Sequence, residues 1–148
     1  MIQVLLVDDH VATRERLAAV IEADPDLRVV AQAKGLEDVV RSLQVAPPVV
    51  VVVDLNLPSG SGLALCRRIW RANGTRRILG LTDGRDMELV ADAFEAGAHG
   101  VVFKGASPCI IREAVHMLAR GDVFLDPAAA VRLLGLEAGR MGTQALEE

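Results

Sequence analysis

Short β-branched apolar runs alternate along this chain with longer stretches in which apolar residues recur at helical spacing. That alternation is the sequence sign of βαβ units and of a parallel sheet. Strands are predicted over Ile2 to Val7, Leu27 to Ala33, Val49 to Val53, Ile78 to Leu81 and Val101 to Phe103. Helices are predicted over Val11 to Ala23, with Leu17, Val20 and Ile21 toward the core, and over Leu36 to Val45. Three more follow: Gly62 to Ala72 with Leu63, Cys66, Ile69 and Trp70 on one period, then Met87 to Ala96, then Ile110 to Arg120. Gly97 suits the left-handed position just past a helix. Ser107 reads as an N-cap, with Pro108 in the first helical position.

The five consecutive valines from Val49 admit no solvated face, so that strand is central and covered on both sides. Pro47-Pro48 punctuates the chain before it. Five strands each followed by a helix make an α/β fold, an open doubly wound (βα)5 three-layer sandwich of the flavodoxin-like order 2-1-3-4-5. Beyond Gly121, Pro127 to Leu136 reads as one more helix, and the end of the chain, with Gly135, Gly139 and Gly142, reads as a linker. The expected organisation is one domain over 1–125 and a helix-plus-linker tail over 126–148.

Composition narrows this picture. Of 148 residues 51% are hydrophobic but only 3% aromatic, so the core is expected to be built from Val, Leu, Ile and Ala. The net charge of −4 argues against nucleic-acid binding by this chain itself, since phosphate contact calls for a basic face. Cys66 and Cys109 form no metal-ligating spacing and are expected to be reduced, packed thiols. No signal-peptide pattern or long apolar span is present, which makes a cytoplasmic location the expectation.

The candidate chemistry sits where the apolar strands stop. Ligands on such a sheet bind outside the carboxyl ends of the strands, at the switch point between strands 1 and 3. Strands 1, 3, 4 and 5 close on Asp8-Asp9, Asp54, Thr82 and Lys104. Carboxylates brought together repel: at about 5 Å and an effective dielectric of about 20, each pair costs roughly 3 kcal/mol. A hard divalent cation with oxygen ligands offsets that cost, and Mg²⁺ suits one or two carboxylates plus waters and phosphate oxygens. Lys104 adds a point charge for a phosphoryl oxygen, and Thr82 a hydroxyl. A carboxylate is itself a competent nucleophile toward phosphorus, and Asp54, at the end of the central strand, is the candidate.

Singly, these residues have duller explanations: Asp9 as a helix cap, Thr82 in a turn, Lys104 as a solvated lysine. Their convergence at one edge is what favours the site. His10 and His99 are poor ligands for a hard cation and read as a flanking and a surface residue, and His116 as packing or surface.

The residues also match a known family. VLLVDDH, the block VVVDLNLPSGSG with Asp54, Pro58 and Gly62, LTD around Thr82, and EAGAHGVVFK ending at Lys104 resemble the response-regulator receivers, the CheY-like domains, from Ile2 to about Leu125. GASPCIIREAV followed by GDVFLDP resembles the NarL/FixJ-type subfamily of two-component transcriptional regulators.

The resemblance implies that Asp54 accepts a phosphoryl group from a sensor histidine kinase or a small acyl phosphate. It implies Mg²⁺ held by Asp9, Asp54 and the backbone carbonyl of Asn56, with Asp8 acting largely through water. Thr82 and Lys104 would contact the phosphoryl group, with slow self-dephosphorylation tuned at Asn56 and Gly84. It further implies a phosphorylation-modulated homodimer, and DNA contact only through a helix-turn-helix output domain of roughly 50 further residues that this chain does not contain. Two positions depart from the pattern: Val101 stands where an aromatic is usual, and Gly105 follows the lysine where proline is frequent.

Two other readings compete. A phosphorylation-independent receiver-fold dimerisation or interaction module draws its support from Val101. A nucleotide- or flavin-binding protein fares worse, because strand 1 runs into VDDHVATR and no glycine loop follows to cradle a phosphate.

Overall fold

The computed structural model describes residues 1–45, 49–57 and 61–147; Pro47, Pro48 and Pro58 lie outside the described residues. The strands are β1 (Ile2–Val7), β2 (Leu27–Ala33), β3 (Val50–Asp54), β4 (Arg77–Thr82), β5 (Gly100–Phe103) and β6 (Phe124–Leu125). The helices are α1 (Val11–Glu22), α2 (Leu36–Val45), α3 (Ser61–Ala72), α4 (Glu88–Glu95), α5 (Pro108–Ala119) and α6 (Pro127–Glu147). All strand pairs are parallel, in the order β2-β1-β3-β4-β5-β6. The flavodoxin-like (βα)5 order is therefore as expected, with one strand added at the β5 edge.

Side-chain alternation divides the core into two layers. Val50 and Val52 join Val4 and Leu6 against Leu17 and Ile21 of α1 and Ile111, Val115 and Leu118 of α5. Val51 and Val53 join Leu5 and Val7 against Leu65, Cys66 and Ile69 of α3 and Val90 and Ala93 of α4. Every residue of β3 is buried, as a strand covered on both faces requires, and each buried valine contributes about 1.5–3 kcal/mol. Ser107 caps α5 by accepting from the Ile110 amide at 3.4 Å, and Gly97 takes φ +109° after α4.

The tail departs from expectation in two respects. Phe124–Leu125 is too short to show as an apolar run, yet it pairs with β5, the Asp126 amide donating to Val101 O at 2.9 Å. Asp126 is buried and holds both sides of the turn: Oδ2 accepts from the Phe103 amide and Oδ1 from the Ala128 amide, each at 2.9 Å. It thereby caps α6, with Pro127 in the first turn. The helix then runs 21 residues, through Gly135, Gly139 and Gly142 and well past Leu136. Each interior glycine costs about 1 kcal/mol relative to alanine. The intervening Leu, Ala, Arg, Glu and Met are good helix formers, and no proline follows Pro127, so the segment read as a linker is helical.

Candidate functional site

The strand order brings the ends of β1, β3, β4 and β5 to one edge, and the expected residues arrive there together. Asp54 closes β3, is 2% exposed, and uses one oxygen twice: Oδ1 accepts the Asn56 amide and the Lys104 Nζ, each at 2.8 Å. Lys104, one residue beyond β5, is tied back by its amide to the Thr82 carbonyl at 2.8 Å. The ammonium thus bridges from β5 to the central strand, and its own backbone is fixed by β4. Thr82 is fully buried, and its Oγ1 accepts the Gly84 amide at 3.2 Å. The Asn56 side chain accepts the Asp83 amide at 2.8 Å, joining the loop after β3 to the loop after β4.

Asp8 is 2% exposed, with Oδ1 accepting the His10 amide at 2.9 Å. Burial pushes its carboxyl above the usual range; the charges of Asp54 and Asp9 push the same way, against the His10 amide and Lys104. Asp9 does not cap α1, whose N-cap is His10 without a side-chain cap bond. Its Oδ1 is enclosed and makes no hydrogen bond; His10 Nδ1 lies 2.9 Å away but without hydrogen-bonding alignment. Ligand atoms of Asp8, Asp9 and His10 lie within 4.8 Å of one another. A carboxyl raised chiefly by burial, beside an enclosed carboxylate oxygen that accepts no hydrogen bond, leaves acceptor capacity that a cation would fill. Hard oxygen donors of this kind suit Mg²⁺. Asp54 lies outside that tight group, held instead to Lys104.

Several side chains were not singled out by sequence. Arg14 is buried at 7% exposure, and its Nη1 donates to the Asp8 carbonyl at 2.5 Å. Its spacing to Leu17 and Ile21 places it on the inward face of α1, a signal that was available. Asp83, Asp126 and Arg132 also carry contacts that no local pattern shows. Val101 is fully buried.

The expectations for His99 and Cys109 need correction. His99 is half-buried, not a surface residue: Nδ1 accepts the Ile78 amide at 3.0 Å and the ring meets Trp70 edge-on at 5.8 Å. His116 pairs with Asp24 at 2.6 Å, joining α5 to the end of α1. His10 flanks the acidic group, its side chain 73% exposed. Cys66 is buried as expected, but Cys109, in the first turn of α5, is exposed. Among the described residues, no helix is long and apolar enough to cross a membrane.

Comparison with known proteins agrees with this geometry. The family model "Response regulator receiver domain" matches residues 4–116. The DNA-binding transcriptional activator DevR/DosR of Mycobacterium tuberculosis is 37% identical over 134 residues, 90% of this chain and 62% of that protein. The transcriptional regulatory protein UhpA of Salmonella typhimurium is 35% identical, over 90% of this chain and 66% of that protein. The chain thus spans less than two thirds of either. The crystal structure of a LuxR-family two-component response regulator from Aurantimonas superposes with a TM-score of 0.87 at 32% identity, covering 93% of this chain and 99% of that one. These relatives carry the names of regulators, not of metabolic enzymes. The chain belongs to the response regulator receiver domains, and its relatives are two-component transcriptional regulators of the NarL/LuxR type.

Proposed function

We propose that Asp54 is the phospho-acceptor of this receiver, taking a phosphoryl group from the phosphohistidine of a sensor kinase or from a small acyl phosphate. The observation that carries the reading is the Lys104 Nζ–Asp54 Oδ1 contact of 2.8 Å beside buried Asp8 and half-buried Asp9. A carboxylate oxygen of Asp54 attacks phosphorus, the bond to the donor nitrogen or oxygen breaks, and an aspartyl phosphate results. Asp54 Oδ1 is engaged by Asn56 and Lys104, which orients the carboxylate and leaves Oδ2 as the nucleophile. Lys104 neutralises a phosphoryl oxygen, and the Thr82 hydroxyl donates to another.

Asp9, Asp54 and the Asn56 carbonyl would hold Mg²⁺, with Asp8 acting through water; bound there, the ion supplies charge neutralisation for the phosphoryl oxygens. Hydrolysis of the acyl phosphate returns the protein to its resting state. This self-catalysed exchange is the extent of its enzymology.

By kinship with the regulators, the signal controls transcription in the cytoplasm through an output domain that would follow residues 1–125 and the tail over 126–148. DNA contact belongs to that output domain, and phosphorylation modulates a homodimer. Treatment with acetyl phosphate and Mg²⁺ should add one phosphoryl mass to the wild type and none to Asp54→Asn or to a metal-free sample. A wild type left unmodified overturns the reading.

A further inference from the structure

A chain of contacts leaves Thr82 and ends on α6. The Thr82 Oγ1 accepts from the Gly84 amide at 3.2 Å, and the Gly84 carbonyl in turn accepts from Arg132 Nη1 at 2.8 Å. The same guanidinium lies over the Phe103 ring, 5.6 Å from its centroid. Gly84 has φ +80°, and a Cβ there would stand 3.1 Å from Phe103 Cε1 and 3.2 Å from Arg132 Nη1. Peptide, ring and guanidinium are therefore in close mutual contact, at a backbone conformation that favours glycine.

The start of α6 is fixed independently. Asp126 binds the Phe103 amide with one oxygen and caps α6 through the Ala128 amide with the other. That anchor sits on β5, next to Lys104. Arg132, farther along the helix, reaches back to a different element, the loop after β4. Movement of the Thr82–Gly84 segment relative to β5 therefore acts on α6 at Arg132 while Asp126 holds the pivot. Fully buried Val101 offers no such route to the surface.

Resting on the phospho-acceptor role of Asp54, we propose that Arg132 is a positioning residue: it clamps the Gly84 carbonyl and so couples the Thr82 hydroxyl to the docking of α6. In the arrangement described, the clamp holds the loop with Thr82 Oγ1 turned to Gly84. For Thr82 to donate to a phosphoryl oxygen on Asp54, the segment shifts toward Asp54 and draws the Gly84 carbonyl off Arg132. Phosphorylation releases α6, and by thermodynamic reciprocity release of α6 favours the phosphorylated arrangement.

The test uses the full 148-residue chain with beryllofluoride and Mg²⁺ as phosphoryl mimic. Amide exchange across 129–136 should rise several-fold when the mimic binds the wild type. In Arg132→Ala that exchange should already be fast, and the mimic should bind about fivefold more tightly, the lower end of typical coupling. Arg132→Lys, which keeps a donor, should fall between. Structural damage would weaken binding instead, so tighter binding distinguishes coupling from damage. Wild-type α6 exchange that ignores the mimic, or Arg132→Ala binding no tighter than wild type, overturns the inference while leaving Asp54 as acceptor. A wild type that neither binds the mimic nor takes phosphoryl overturns both.

Discussion

Replacing Asp8 by Asn should stabilise the metal-free protein. Asp8 and Asp9 bring ligand oxygens within 4.8 Å of each other, and Asp8 is 2% exposed. Two unit charges at that separation repel by about 3.5 kcal/mol at an effective dielectric of 20 and by about 0.9 kcal/mol in bulk water. The Asp9 side chain is 31% exposed, so solvent screening draws the figure toward the lower bound. Asn keeps an oxygen to accept the His10 amide and nearly the same volume, so no cavity forms and that amide keeps its acceptor. We expect about 1–2 kcal/mol, an increase of roughly 3–8 °C in Tm for a chain of this length. Thermal unfolding followed by far-ultraviolet circular dichroism in EDTA reads it directly. Adding Mg²⁺ should narrow the gap, because the wild type gains binding free energy that the Asn variant partly forfeits. An unchanged or lowered Tm for Asp8→Asn in EDTA would refute the claim that this edge stores electrostatic repulsion.

Three further outcomes follow from particular contacts. A Cβ at Gly62 would lie 2.7 Å from Asp54 O and 2.8 Å from Leu55 Cα, both backbone, so Gly62→Ala should cost about 1–3 kcal/mol in urea unfolding. Gly105→Ala, with nothing within 4 Å, is the near-neutral control, and equal midpoints for the two variants would contradict the packing. Burial, with Arg77 adding, holds the His99 imidazole below its usual range, so the unfolded chain takes up that proton first on acidification. Stability is retained above about pH 6.5 and declines as pH falls from there toward the folded value; His99→Asn should flatten that slope in urea midpoints, and an unaltered slope would contradict it. Burial pushes the Cys66 thiol up to about 12, whereas Cys109 is exposed, so a thiol reagent should label one cysteine in the native protein and both in denaturant. Rapid native labelling of both would contradict the burial of Cys66.

Most of the sheet was legible because its strands are continuous or alternating apolar runs, and β1, β2 and α2 keep their expected bounds. The site was legible for a related reason: polar residues ending apolar strands are conspicuous, and a parallel order takes them to one edge. β6 escaped notice because two residues carry no period, and its pairing rests on Asp126, whose value lies in two amides that only the tertiary structure brings near. The glycines after Leu136 suggested an end to α6, but breaker residues weigh less than the helix formers around them. His99 was misread because a lone polar residue before a strand looks solvated until the Ile78 amide is seen to need its acceptor. Arg132 shows no local pattern, and its meaning depends wholly on where the loop after β4 lies.

The most direct measurement is to locate the modified residue. After treatment with acetyl phosphate and Mg²⁺, borohydride reduction converts an aspartyl phosphate to homoserine, which peptide mass mapping assigns to a position. The account predicts homoserine at Asp54, dependent on Mg²⁺, with Asp8 and Asp9 intact. Conversion at Asp8 or Asp9, or at none of the three, would contradict it.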